Sequence, residues 1–168
     1  YANAIGYDVL INSDEETGSL SSAALIADLA QGKVAALTYE PSARPDGTLA
    51  HARGGSGNFS VAITGRSAHA GRNPAEGRNA LVAAAALAVA LDHIKDRDLG
   101  VNPARIDGGS ANNVVPDHAV LRFNIRPQTL DAADRFDQHF NLILHEIEQE
   151  HEVKTHVHGG ITRPPKPV

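Results

Sequence analysis

The 168 residues contain no cysteine, no methionine and no tryptophan, and only 4% of them are aromatic. Without cysteine there are neither disulfides nor thiolate zinc sites, and the compartment, cytoplasmic or periplasmic, stays open. Without methionine, Tyr1 is not expected to be a translation start, so the sequence reads as part of a longer chain with any leader lying ahead of it. Long apolar runs are missing too: the longest, residues 80–91, falls well short of the ~20 residues that a membrane span needs. No membrane partner is expected. The balance of 15 basic against 20 acidic residues gives a net charge of −5, which offers nucleic acid and anionic lipid no general attraction. With 42% hydrophobic residues a core is within reach, much of it filled by alanine.

What is present begins with two apolar runs, residues 9–11 and 34–39, each ending in glutamate: Glu16 after the first and Glu40 after the second. Between them, Leu20 to Gln31 reads as a helix, with Leu25, Ile26 and Leu29 as its apolar stripe and Gly32 as its stop. A strand, helix, strand unit of this length is a parallel crossover, and its right-handed connection brings both strand ends to one edge. Glu16 and Glu40 would then converge at the carboxyl end of a parallel sheet, where open α/β folds place ligands and where carboxylates suit a divalent cation. Glu15 could hold a water acidified by that cation. Solvated loop residues give the same pattern, and spacing alone does not separate the two readings. Asp14 reads as a strand-end capping residue rather than a ligand.

Composition changes after Glu40. Pro41, Pro45, Gly47, Gly54, Gly55 and Gly57 are turn and linker chemistry, and alternating strands follow. Phe59, Val61 and Ile63 alternate with Ser60, Ala62 and Thr64. A helix is expected from a cap at Asn73 to about Lys95. A weaker strand over residues 101–107 carries Pro103, which suggests an edge. Ala119, Leu121, Phe123 and Ile125 alternate with Val120, Arg122, Asn124 and Arg126, the clearest half-buried strand. Thr129 caps a second helix with Leu130, Ala133, Phe136, Phe140, Ile143 and Ile147 on its apolar face, and Val153, Thr155 and Val157 mark a last strand. The order is βαββαβ, a ferredoxin-like arrangement of two helices on one face of a four-stranded antiparallel sheet. Residues 159–168, rich in Gly and Pro, read as a second linker.

Five segments in order carry a resemblance: Asn12 to Ser19 (with Asp14, Glu15 and Glu16), Tyr39-Glu40-Pro41, Gly65 to Gly71 (with His69), Asn112 to Pro116 (with Asn113), and Arg126. Together they resemble the dinuclear zinc metallopeptidases of the glutamate carboxypeptidase (carboxypeptidase G), acetylornithine deacetylase, succinyl-diaminopimelate desuccinylase and aminoacylase type, most of all the glutamate carboxypeptidase branch. The resemblance implies an α/β piece of a catalytic domain with a linker over residues 1–52, a dimerisation (lid) domain over 53–160, and a return linker over 161–168. It further implies two zinc ions, with cobalt as a substitute, held in part by Glu16 and Glu40. Glu15 would be the catalytic acid/base, His69 an oxyanion donor, and Asn113 and Arg126 contacts to the substrate carboxylate. The substrate would be a peptide or an N-acyl amino acid, and the assembly a homodimer formed by two sheets meeting at their edges. The family's upstream His and Asp and its late His have no counterparts in this sequence, so the polypeptide as it stands is expected to be inactive.

Two other readings remain. An N-acyl amino acid deacylase of the same family would keep every segment quoted. A non-catalytic ferredoxin-like binding module is the alternative of another class. RNA recognition by such a module would need aromatics on the bare sheet face and a basic balance, and the clearest strand offers Arg122, Asn124 and Arg126 with no aromatic among them. The other histidines match no motif, although His156 and His158 share one strand face and could take up a stray metal ion.

Overall fold

The computed structural model describes residues 6–19, 21–39, 41, 45–47 and 52–166. The chain divides into two compact units, Tyr1–Leu49 and Ala50–Val168.

In the first unit a single 3-10 turn, Glu15–Thr17, precedes helix α1, Ala23–Ala30. The turn closes at Gly18, whose φ of +97° is a conformation that glycine adopts without strain. Helix α1 starts three residues later than its apolar pattern suggests because Asp14 holds the entry. Its carboxylate accepts the N–H groups of Ser21 (2.8 Å) and Ser22 (3.1 Å) and the Ser22 hydroxyl (2.7 Å). Asp14 is thus a cap as expected in kind but not in place: no strand ends there among the described residues, and its carboxylate holds the approach to α1 instead. The flanking apolar runs differ from expectation: among the described residues neither forms a strand, and Val9, Ile11 and Val34 stand 72%, 90% and 104% exposed. Parallel strands persist when both faces are covered, and two strands with no cover are marginal in water.

The second unit contains β1 (Ser56–Thr64), β2 (Ala68–His69), α2 (Ala80–His93), β3 (Leu99–Gly108), β4 (Val114–Val115), β5 (His118–Pro127), α3 (Leu130–His151) and β6 (Lys154–Arg163). The long strands form one antiparallel sheet in the order β3-β5-β1-β6, while β2 and β4 make a separate two-residue ladder. The βαββαβ order is therefore as expected, with β2 and β4 as additions. Strand β5 buries every second residue along its length, as a half-buried strand must. Its inward residues meet those of β1 and the two helices. All four phenylalanines of the chain gather there: Phe59 stacks on Phe123 (5.0 Å between centroids), Phe136 on Phe140 (5.3 Å), and Phe140 stands edge-on to Phe59 (5.6 Å). Ala80, Ala83 and Ala84 are fully buried, so α2 lies close to the sheet.

Two boundaries and one burial depart from the sequence reading. Residues 74–76 form an isolated 3-10 turn, and α2 begins at Ala80, capped by Asn79 through the amides of Leu81 and Val82, both at 3.1 Å. The cause is tertiary: Arg78 pairs with Arg66 in a β-bridge, its N–H and C=O both engaged, and this holds the intervening chain extended. Leu130, expected on the core face of α3, is 55% exposed, since its position precedes the first inward turn. Residues 159–163 extend β6 instead of starting a linker, with Gly159 (φ +94°) placed where a Cβ would strike the Asn58 carbonyl. Edge strand β3 shifts register between Pro103 and Arg105, the irregularity expected of proline on an edge. Among the described residues no helix is long and apolar enough to cross a membrane.

Candidate functional site

His69 occupies the second position of β2, directly opposite Val114 of β4. Asn113 comes immediately before that pair, and its carbonyl accepts the N–H of Ala70 at 2.8 Å. The ladder thus brings His69 and Asn113 together at the end of the sheet where Gly65 donates to the Asp117 carbonyl (2.8 Å). A tight turn follows His69. Its carbonyl accepts the N–H groups of Arg72 and Asn73, and its Nδ1 accepts those of Gly71 (3.1 Å) and Arg72 (3.2 Å). Asn73 closes the turn from the other side, its Oδ1 accepting the His69 N–H at 3.2 Å and its Nδ2 donating to Glu76 at 2.7 Å. Asn73 was legible only as a helix cap, and its role at His69 had no separate signal.

Arg126 lies on the helix-free face, near the opposite end of β5. Its Nε donates to Asn124 Oδ1 at 2.8 Å, and the Asn124 amide is tied in turn to the Gly57 carbonyl and to Asn58 Oδ1, both at 2.8 Å. From His118 to Arg126 is eight residues (126 − 118) of one strand, roughly 26 Å at the ~3.3 Å rise of a β-strand. The ladder that carries His69 and Asn113 thus adjoins the His118 end of β5, and Arg126 lies toward the other end.

Glu15 and Glu16 are adjacent, exposed residues of the 3-10 turn. Glu40 lies outside the described residues. Between the turn and α1, the Ser22 hydroxyl above all, with the Ser21 and Ser22 amides and Asn12, holds the Asp14 carboxyl down to about 2 against the opposing effect of desolvation. Among the described residues no three His, Cys, Asp or Glu side chains come together to hold a metal ion. A catalytic zinc normally keeps at least three protein ligands, so the described residues do not make up a zinc centre on their own. The rings of His156 and His158 touch on the outer face of β6, 4.5 Å between centroids, two donors without a third among the described residues.

Residues 51–152 match the peptidase dimerisation domain of the M20 family. Carboxypeptidase G2 from Pseudomonas sp. (strain RS-16) is 36% identical over 120 residues, covering 70% of this chain and 29% of that protein. One of the p-aminobenzoyl-glutamate hydrolase subunits of Escherichia coli (strain K12) is 39% identical over 84 residues, 48% of this chain and 18% of that one. A crystal structure of an aminobenzoyl-glutamate utilization protein from Klebsiella pneumoniae superposes with a TM-score of 0.63 at 27% identity, covering 69% of this chain and 30% of that one. The chain spans less than a third of the length of each of these relatives. Matched over more than half its length, the chain belongs to the M20 metallopeptidase family, and its sheet unit is that family's dimerisation domain.

Proposed function

We propose that this chain is part of a zinc-dependent amidohydrolase or carboxypeptidase that cleaves an amide bond next to a free carboxylate and releases a C-terminal glutamate or a similar amino acid. The observation that carries this reading is the placement of His69 beside Asn113 at one end of the sheet and of Arg126 at the other. In this reading two copies surround one substrate, His69 and Asn113 coming from one and Arg126 from its partner. That arrangement is consistent with a homodimer joined through the sheet unit. Two of the relatives described above carry glutamate amides in their names, which favours an acidic amino acid as the released product.

In this reading the Glu15 carboxylate takes the proton of the attacking water and returns it to the departing amine. His69 donates a hydrogen bond to the oxyanion that develops on the scissile carbonyl. The Arg126 guanidinium, a planar fork that matches a carboxylate, clamps the product side, and Asn113 adds an amide donor. Glu16 and Glu40 serve as two of the donors to a pair of zinc ions, or cobalt in their place. The test is hydrolysis by the full-length protein of p-aminobenzoyl-glutamate, a folate-type glutamate amide and N-acetyl amino acids, with released amino acid quantified. Preferential turnover of the glutamate amides is expected. A preference for the N-acetyl amino acids would move the assignment to the deacylases.

A further inference from the structure

The turn after His69 fixes not only where the ring lies but where its proton sits. Two backbone N–H groups, those of Gly71 and Arg72, point at the single nitrogen Nδ1. A neutral imidazole has one donor and one acceptor nitrogen, and a nitrogen that receives two donors must carry the lone pair. The ring hydrogen is thereby assigned to Nε2. We propose that this turn makes His69 a permanent Nε2–H donor, and that Asn73, oriented by Glu76, is the positioning residue that maintains it.

The assignment of Asn73 follows from its bonds. The Glu76 carboxylate accepts from Asn73 Nδ2 at 2.7 Å, so the NH2 end of the amide faces Glu76 and the Oδ1 end faces the His69 N–H. The Asn73 N–H also reaches the His69 carbonyl, at 3.1 Å. Asn73 thus grips both backbone polar groups of His69, and the chain between them has no freedom to swing Gly71 and Arg72 away from the ring.

The inference rests on the reading of His69 as the oxyanion donor, and deepens it. A ring whose Nδ1 lone pair is already occupied and whose Nε2 carries the hydrogen offers a hydrogen bond at once, with no prior proton uptake. The same ring is unsuited to accept a proton from water, which leaves that task to Glu15 alone.

The experiment is a long-range 1H–15N correlation of the imidazole nitrogens in the 15N-labelled 168-residue chain at about pH 8, above the ordinary imidazole range. Wild-type His69 should show a lone-pair Nδ1 and a protonated Nε2. In Asn73→Ala the two tautomers should mix, while unchanged amide shifts along β5 show that the sheet is intact. The double variant Asn73→Asp, Glu76→Gln keeps an acceptor for the His69 N–H and reverses the donor between 73 and 76, so it should restore the wild-type pattern. A protonated Nδ1 in the wild type, or an Asn73→Ala spectrum indistinguishable from it, would overturn the proposal. In the full-length enzyme Asn73→Ala should lower kcat on the order of 10²-fold, the cost of ring misplacement, with KM nearly unchanged and with rescue by the double variant. If the tautomer is lost while kcat stands, the oxyanion role of His69 fails and the geometry of the turn survives.

Discussion

The Asn113 carbonyl accepts the N–H of Ala70, the residue after His69, at 2.8 Å. The structural work of Asn113 is therefore done by its backbone, which leaves its side-chain amide available for a ligand. Asn113→Ala should keep the thermal midpoint of the chain within experimental error. In the full-length enzyme it should raise KM for a glutamate amide and lower kcat/KM by on the order of tenfold, about one good hydrogen bond to a charged group. A large fall in the midpoint would show that the side chain holds the ladder after all.

The distance along β5 between His118 and Arg126 leads to a mixing experiment. Full-length His69→Ala and full-length Arg126→Ala, each nearly inactive alone, should regain activity once subunits exchange. The heterodimer then has one site with an intact His69 from one chain and an intact Arg126 from the other, while its second site lacks both. Glu15→Gln mixed with His69→Ala should behave the same way if His69 serves the partner's site. Heterodimers verified by mass spectrometry that stay as inactive as their parents would rule out a shared site.

The proposed function gives the neighbours Glu15 and Glu16 separate tasks. In the full-length protein Glu15→Gln should retain bound zinc and lose turnover by about 10²–10⁴-fold, because an amide does not accept the proton of the attacking water. Glu16→Gln and Glu40→Gln should lose metal as well, as elemental analysis of the purified variants would reveal. The opposite outcome for residues 15 and 16 would exchange their roles.

Asp14 gives the entry of α1 a pH dependence. Its carboxyl is lowered from 3.8 to about 2 by the Ser22 hydroxyl first, then by the Ser21 and Ser22 amides and Asn12. A depressed carboxylate contributes its full stabilisation above the ordinary value and loses it as pH falls through the folded one. Protection of the Ser21 and Ser22 amides against hydrogen exchange, corrected for intrinsic rates, should therefore decline from about pH 3.8 toward about pH 2 and be absent throughout in Asp14→Ala. Protection that persists at the acid end would contradict the capping role.

Phe136 is fully buried among the other three phenylalanines. Phe136→Ala should cost about 3–5 kcal/mol of stability in urea unfolding. Leu142→Ala, at a position 61% exposed on the same helix, should stay within about 0.5 kcal/mol. Similar costs for the two would mean that α3 presents a different face to the sheet.

The elements that were legible in the sequence are those whose burial follows a period. Strand β5 and helix α3 present alternation or three-and-four spacing over ten and twenty-two residues, and both appear where the pattern puts them. The start of α2 was misplaced because Asn73 and Asn79 are both plausible caps, and the choice between them is made by the bridge of Arg66 to Arg78, a contact that local pattern does not encode. The placement of His69 beside Asn113 was illegible for the same reason: it depends on a ladder of two residues per strand, too short to leave a period. The strand that carries Arg126 was legible, but the attachment of the two-residue ladder beside the His118 end of it was not. The apolar runs of the first unit carry a strand pattern, but a pattern specifies a strand only together with the surfaces that cover it.

The collection of every phenylalanine in one core has an optical consequence. All three tyrosines of the sequence, Tyr1, Tyr7 and Tyr39, precede Ala50, and there is no tryptophan. Tyrosine emission therefore reports on the first unit alone, while the weak near-ultraviolet dichroism of phenylalanine reports on the second. A single unlabelled sample lets the melting of each unit be followed at its own wavelength.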